Sequence, residues 1–98
     1  MICHLVISGF VQGVGYRQFT KKTSLGLDLK GWVKNIDEGR VEVLFSGSKE
    51  SIKRAIKACR KGPFLARVKN IDIEWEDKNM DFTQHQTGAG FNNFEIVI

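Results

Sequence analysis

From Ile2 to Val11 the chain is almost continuously apolar and β-branched, and it runs without a spacer into Gln12-Gly13-Val14-Gly15. Such a run suits a strand buried in mid-sheet. Directly after the glycines the period changes. Tyr16, Phe19, Thr23 and Leu27 follow one another at the helical spacing of three and four, and Gly26 sits where that helix should stop. Residues 29–36 and 40–46 read as two strands around Asp37-Glu38-Gly39, a hairpin signal with Gly at a position suited to positive φ. Val41, Val43 and Phe45 alternate with Arg40, Glu42 and Ser46, while Leu44 departs from the pattern.

A second helix follows. Ser48 offers an N-cap, Glu50 lies in the first turn, and Gly62-Pro63 ends the segment. Ile52, Ala55, Ile56 and Cys59 make its apolar stripe. The fourth strand is the clearest: Lys69, Ile71, Ile73 and Trp75 alternate with Asn70, Asp72, Glu74 and Glu76, Lys69 being the polar member of the inward set. Asp77 to Gly90 reads as a loop, and Phe94, Ile96 and Ile98 as a last short strand. The expected class is α+β: one domain over 1–98, a ferredoxin-like βαββαβ sandwich, an antiparallel sheet with two helices on one face.

Ninety-eight residues allow one core and leave no room for a second. No apolar run approaches the roughly 20 residues that span a bilayer, and no secretory signal is visible, so a cytoplasmic location is expected. Fifteen Lys and Arg against eleven Asp and Glu give a net charge of +4, which favours anionic ligands without choosing among them. Lys49, Lys53, Arg54, Lys57, Arg60 and Lys61 gather on the second helix, opposite its apolar stripe, as a solvated face. Cys3 and Cys59, with His4 and His85, match no zinc-ligand spacing. Two reduced, mostly buried thiols are expected, with a single disulfide between them as the alternative.

The chemistry concentrates in Gly9-Phe10-Val11-Gln12-Gly13-Val14-Gly15-Tyr16-Arg17. Joining a buried strand to a helix leaves the turn's backbone N–H groups pointing outward at a helix N-terminus, an anion site. Arg17 adds a planar guanidinium suited to two phosphate oxygens. Spacing excludes better-known loops. There is no GxxxxGK[ST], Gln18 stands where a dinucleotide fingerprint needs Gly, and Val11 stands where a cysteine-dependent phosphatase needs its nucleophile. A tight structural turn with a solvated arginine is the competing reading. Asn35, closing Gly31-Trp32-Val33-Lys34-Asn35, can hold a water through its carboxamide but cannot act as a base. It can equally cap the hairpin as an Asx-turn.

Gly9 to Arg17, followed by Gly31 to Asn35 with Gly39, Val41 and Gly47, closely resembles the acylphosphatases, and the resemblance extends through Gly62-Pro63, Arg67-Val68 and Phe94-Glu95-Ile96. It implies a small free-standing enzyme that hydrolyses acyl phosphates to carboxylate and inorganic phosphate, without metal or cofactor. By position, Gln12, Gly13, Val14, Gly15 and Tyr16 would bind phosphate through backbone N–H groups, Arg17 would clamp its oxygens, and Asn35 would orient the attacking water. Inorganic phosphate or sulfate would compete. A monomer is expected, with neither nucleic acid nor membrane as partner. Phe10 stands where many members carry a basic residue, and Ile36 where a hydroxyl is frequent. Two alternatives share the fold and charge: a catalytically silent anion-binding domain, and an RNA-binding module, against which stands the missing K/R-G-F/Y-G/A-F-V-x-F/Y run.

Overall fold

The computed structural model describes residues 1–37, 39–76 and 93–97. The expected loop over 77–90, and Ile98, lie outside the described residues. In chain order the elements are β1 (Ile2–Phe10), α1 (Tyr16–Gly26), β2 (Lys30–Asp37), β3 (Arg40–Ser46), α2 (Lys49–Lys61), β4 (Arg67–Glu76) and β5 (Phe94–Ile96). The strands form one sheet in the order β4-β1-β3-β2-β5. Thus the split βαβ arrangement is present, with a fifth strand added at one edge.

Four strands pair antiparallel as expected, but β5 runs parallel to β2, from Gly31 opposite Phe94 to Val33 opposite Ile96. The sheet is therefore mixed. Register supplies the reason. Glu76 at the end of β4 pairs with Ile2, Ile2 with Ser46, and Ser46 with Lys30 at the start of β2. The chain leaves β4 and enters β5 at the same end of the sheet, so β5 must travel in the direction of β2.

Alternation along the strands divides the apolar residues between two faces. Leu5, Ile7, Val33, Val41, Val43 and Phe45 join Tyr16 of α1 and Ile52, Ala55, Ile56 and Cys59 of α2 in the main core. Leu44, which broke the sequence pattern, belongs to a second cluster with Ile2 and Trp32 on the opposite face. It is buried there, so its apolar character has a partner. On that face His4 Nε2 meets Glu42 Oε2 at 2.5 Å, and Lys34 lies 5.1 Å from the Trp32 ring centroid.

Lys69, the polar member of the inward set on β4, also has a structural cause. Ser8 pairs with Asn70 but Gly9 pairs with Val68, so Lys69 is the extra residue of a β-bulge. A Cβ on Gly9 would stand 2.1 Å from the Arg67 carbonyl oxygen, at φ 135°. Only glycine lets the two strands close there, immediately before the loop that follows β1.

The two helices begin differently. In α2 the Ser48 hydroxyl accepts from the Ser51 N–H at 3.1 Å, and Glu50 lies in the first turn. Its six basic residues are all exposed. In α1 the N-cap is Gly15, no side chain among the described residues caps the helix, and no acidic residue lies in the first turn.

Candidate active site

The uncapped start of α1 is the centre of the site. Gly13 and Gly15 hold φ of 76° and 80°, and a Cβ at either would meet nothing within 4 Å. Their glycine requirement is conformational rather than one of crowding, and the space beside the loop is open. The helix dipole places roughly half a positive charge at this end, and the first N–H groups of a helix have no partner within it. Arg17, half-buried in the first turn, makes no ion pair among the described residues.

Tyr16 locks the loop to the core. Its side chain is 1% exposed, and its hydroxyl donates to the Cys59 carbonyl at 2.6 Å. Burial raises the phenol far above its ordinary pKa, and Cys59 adds to the rise. The Tyr16 side chain is therefore a scaffold and not an acid. Both cysteines are free and buried, as expected. Burial pushes Cys3 up to about 12, with Glu76 adding to it, and Cys59 up to about 11 against the hydrogen bonds of Tyr16 and Thr20. Neither is a thiolate nucleophile at neutral pH.

Gln12 does something its motif did not reveal. Its side-chain amide donates to the carbonyl of Asp37 and, at 2.8 Å, to that of Arg40. The Gly9 N–H donates to the Gly39 carbonyl at 3.0 Å. The loop after β1 is thus strapped to the β2–β3 hairpin. Asp37 and Arg40 stiffen that hairpin through a fork of contacts at 2.5–3.0 Å, and the Arg40 hydrogen bonds hold the Asp37 carboxyl below its usual range.

Asn35 sits two residues before Asp37 on β2. It pairs with Val41 of the main core, so alternation puts it on the helix-bearing face, where the strand emerges into solvent. Ile36 is unpaired because the register shifts between Asn35 and Asp37. This bulge re-aims the strand end directly after Asn35. Ile36 is itself exposed and adds an apolar surface there.

A cleft of about 620 Å³ opens beside the loop, lined by Val11, Gly13, Gly15, Tyr16, Arg17, Gln18, Lys21 and residues 93–96. Gln12, Val14 and Asn35 are not among its lining residues. Gln12 faces the hairpin, Val14 packs against the core, and Asn35 lies at the hairpin side of the loop. Sequence reasoning missed Gln18, Lys21 and the β5 wall. Lys21 was findable, because it stands one helical turn from Arg17 on the same face. The β5 wall was not, because a non-local pairing with β2 creates it.

A strand, a glycine loop and an uncapped helix bearing a first-turn arginine define a small α+β domain with the geometry of an anion site at one sheet end. The acylphosphatase family model matches residues 3–95, and the chain belongs to the acylphosphatase family, enzymes of the hydrolase class. An acylphosphatase of Pelotomaculum thermopropionicum is 39% identical over 80 residues, 82% of this chain and 87% of that protein. One of Rhodopseudomonas palustris is 44% identical over 72 residues, 74% of this chain and 73% of the relative. The crystal structure of the acylphosphatase from Bacillus subtilis superimposes with a TM-score of 0.84 at 31% identity, covering 100% of both chains.

Proposed function

We propose that this chain hydrolyses the carboxyl–phosphate bond of acyl phosphates by positioning and charge alone, with the phosphoryl group on the backbone N–H groups of residues 12–16 and on Arg17, and the water held by Asn35. The glycine-built start of α1, with an Arg17 beside it that makes no ion pair among the described residues, carries this reading. The water oxygen attacks phosphorus in line while the bond from phosphorus to the acyl oxygen breaks. A carboxylate leaves, and the water's proton passes to a phosphoryl oxygen. Neither motif offers a His, Asp or Glu as base. A mixed anhydride needs none, because its leaving group is already a stable anion.

Among the described residues no group of three His, Cys, Asp or Glu is placed to hold a metal ion. On this mechanism, benzoyl phosphate hydrolysis by the purified chain is expected to be unchanged by EDTA and competitively inhibited by inorganic phosphate. Activity lost in EDTA and restored by a divalent cation would reject this mechanism. No turnover, with circular dichroism reporting an intact fold, would bring forward the silent anion-binding domain. The RNA-binding alternative gains little support. Between Ile2 and Ser8 on β1, and along β3, the face opposite the helices carries Ile2, His4, Val6, Ser8, Arg40, Glu42, Leu44 and Ser46. The rings there are His4, held by Glu42, and Trp32 of neighbouring β2, buried in the second cluster, which leaves little exposed ring surface for bases.

The strap from Gln12 gives a separate test. Gln12→Ala keeps the backbone N–H of the loop but removes two hydrogen bonds to the hairpin, and should cost about 1–2 kcal/mol of stability in urea titration. Turnover should fall about tenfold with phosphate inhibition nearly retained, because the hairpin carrying Asn35 loosens while the anion cradle stays. An unchanged kcat would mean that the strap serves stability alone.

A further inference from the structure

Resting on the function proposed above, we infer that the cleft between α1 and β5 receives the acyl part of the substrate, and that Lys21 there selects acyl phosphates carrying a second negative charge. At about 620 Å³ the cleft is far larger than a phosphoryl group requires and lies in the range of small-molecule sites. Arg17 and the glycine loop occupy one end. Lys21, four residues further along α1, lines the same cleft. Residues four apart on a helix have Cβ atoms about 5–6 Å apart on one face, so the two cations succeed one another along the path leading away from the phosphoryl site.

Lys21 is partly buried, whereas its neighbour Lys22 is exposed and lies outside the cleft. No carboxylate among the described residues makes an ion pair with Lys21. Glu95 also belongs to the cleft wall, but it pairs in register with Trp32, whose ring lies in the cluster on the opposite face. Strand alternation therefore directs its carboxylate away from Lys21. The remaining lining is mixed: buried Phe94 and partly buried Ile96 are apolar, while Gln18 and Asn93 are polar and uncharged. The result is a short passage with two cations along one side, Arg17 beside the glycine loop and Lys21 one helical turn further on. An acyl chain with a terminal carboxylate or phosphate satisfies both cations, and one without it satisfies only the first.

The test is the ratio of kcat/KM for 4-carboxybenzoyl phosphate to that for benzoyl phosphate, two substrates that share the reacting group and differ by one distant charge. In Lys21→Met the ratio should fall about five- to tenfold, as expected for losing one partly screened ion pair. Lys21→Arg should keep the wild-type ratio, and Lys22→Met should leave it unchanged. An equal ratio in wild type and Lys21→Met would overturn the inference while leaving the hydrolase reading intact. An equal fall in Lys22→Met would also overturn it, by assigning the preference to net charge. Failure of the wild-type protein to hydrolyse either substrate would reject the hydrolase reading, and the inference with it.

Discussion

Arg17→Ala is expected to lose turnover and inhibition by inorganic phosphate together, with kcat/KM for benzoyl phosphate falling about 10³-fold. The phosphoryl group carries about two negative charges, whereas the start of α1 supplies only about half a positive one. The rest must come from a full cation in contact with the oxygens. Arg17 is the cation among the cleft residues of the first helical turn, and no carboxylate among the described residues makes an ion pair with it. Its guanidinium would touch the same oxygens before and during attack, so binding and catalysis should fail as one. Arg17→Lys restores charge without the planar pair of donors and should recover only a small part of the loss. Undiminished phosphate inhibition in Arg17→Ala would mean that the backbone cradle alone holds the anion.

The loop and Arg17 were legible because local sequence determines them. The run to Val11 fixes a strand, the glycines force the turn, and the Tyr16, Phe19, Thr23, Leu27 period fixes the helix, so Arg17 had to fall in the first turn. The apolar stripe of α2 and the exposure of its basic face followed from the same period. What could not be read depends on contacts distant in sequence. The parallel pairing of β5 with β2 joins residues more than sixty positions apart, and it alone creates the far wall of the cleft. Leu44 looked like a fault in β3 until the second cluster supplied its partners, Ile2 and Trp32. Lys69 broke an alternation because the bulge facing Gly9 inserts it, a feature with no local composition signal beyond the glycine itself. Gln12 gave no hint of its side-chain role, since its acceptors are backbone carbonyls that every residue possesses.

Asn35→Ala should separate catalysis from binding in a way that Arg17→Ala does not. With the carboxamide gone, kcat for benzoyl phosphate is expected to drop about 10²-fold or more, while the inhibition constant of inorganic phosphate stays nearly unchanged. The reason lies in where the side chain sits. Asn35 is outside the cleft that Arg17 lines, at the end of β2 and on the hairpin side of the loop, held there by the Gln12 and Gly9 hydrogen bonds. In the proposed mechanism a group in that place meets a water approaching the phosphorus from the hairpin side and is not a ligand for the bound anion. A carboxamide also has no useful pKa, so its loss should lower the whole pH–rate profile without changing its shape. A large rise in KM with kcat preserved would instead make Asn35 a ground-state contact. Undiminished turnover would reduce it to a hairpin residue, with the water left to the phosphoryl oxygens alone.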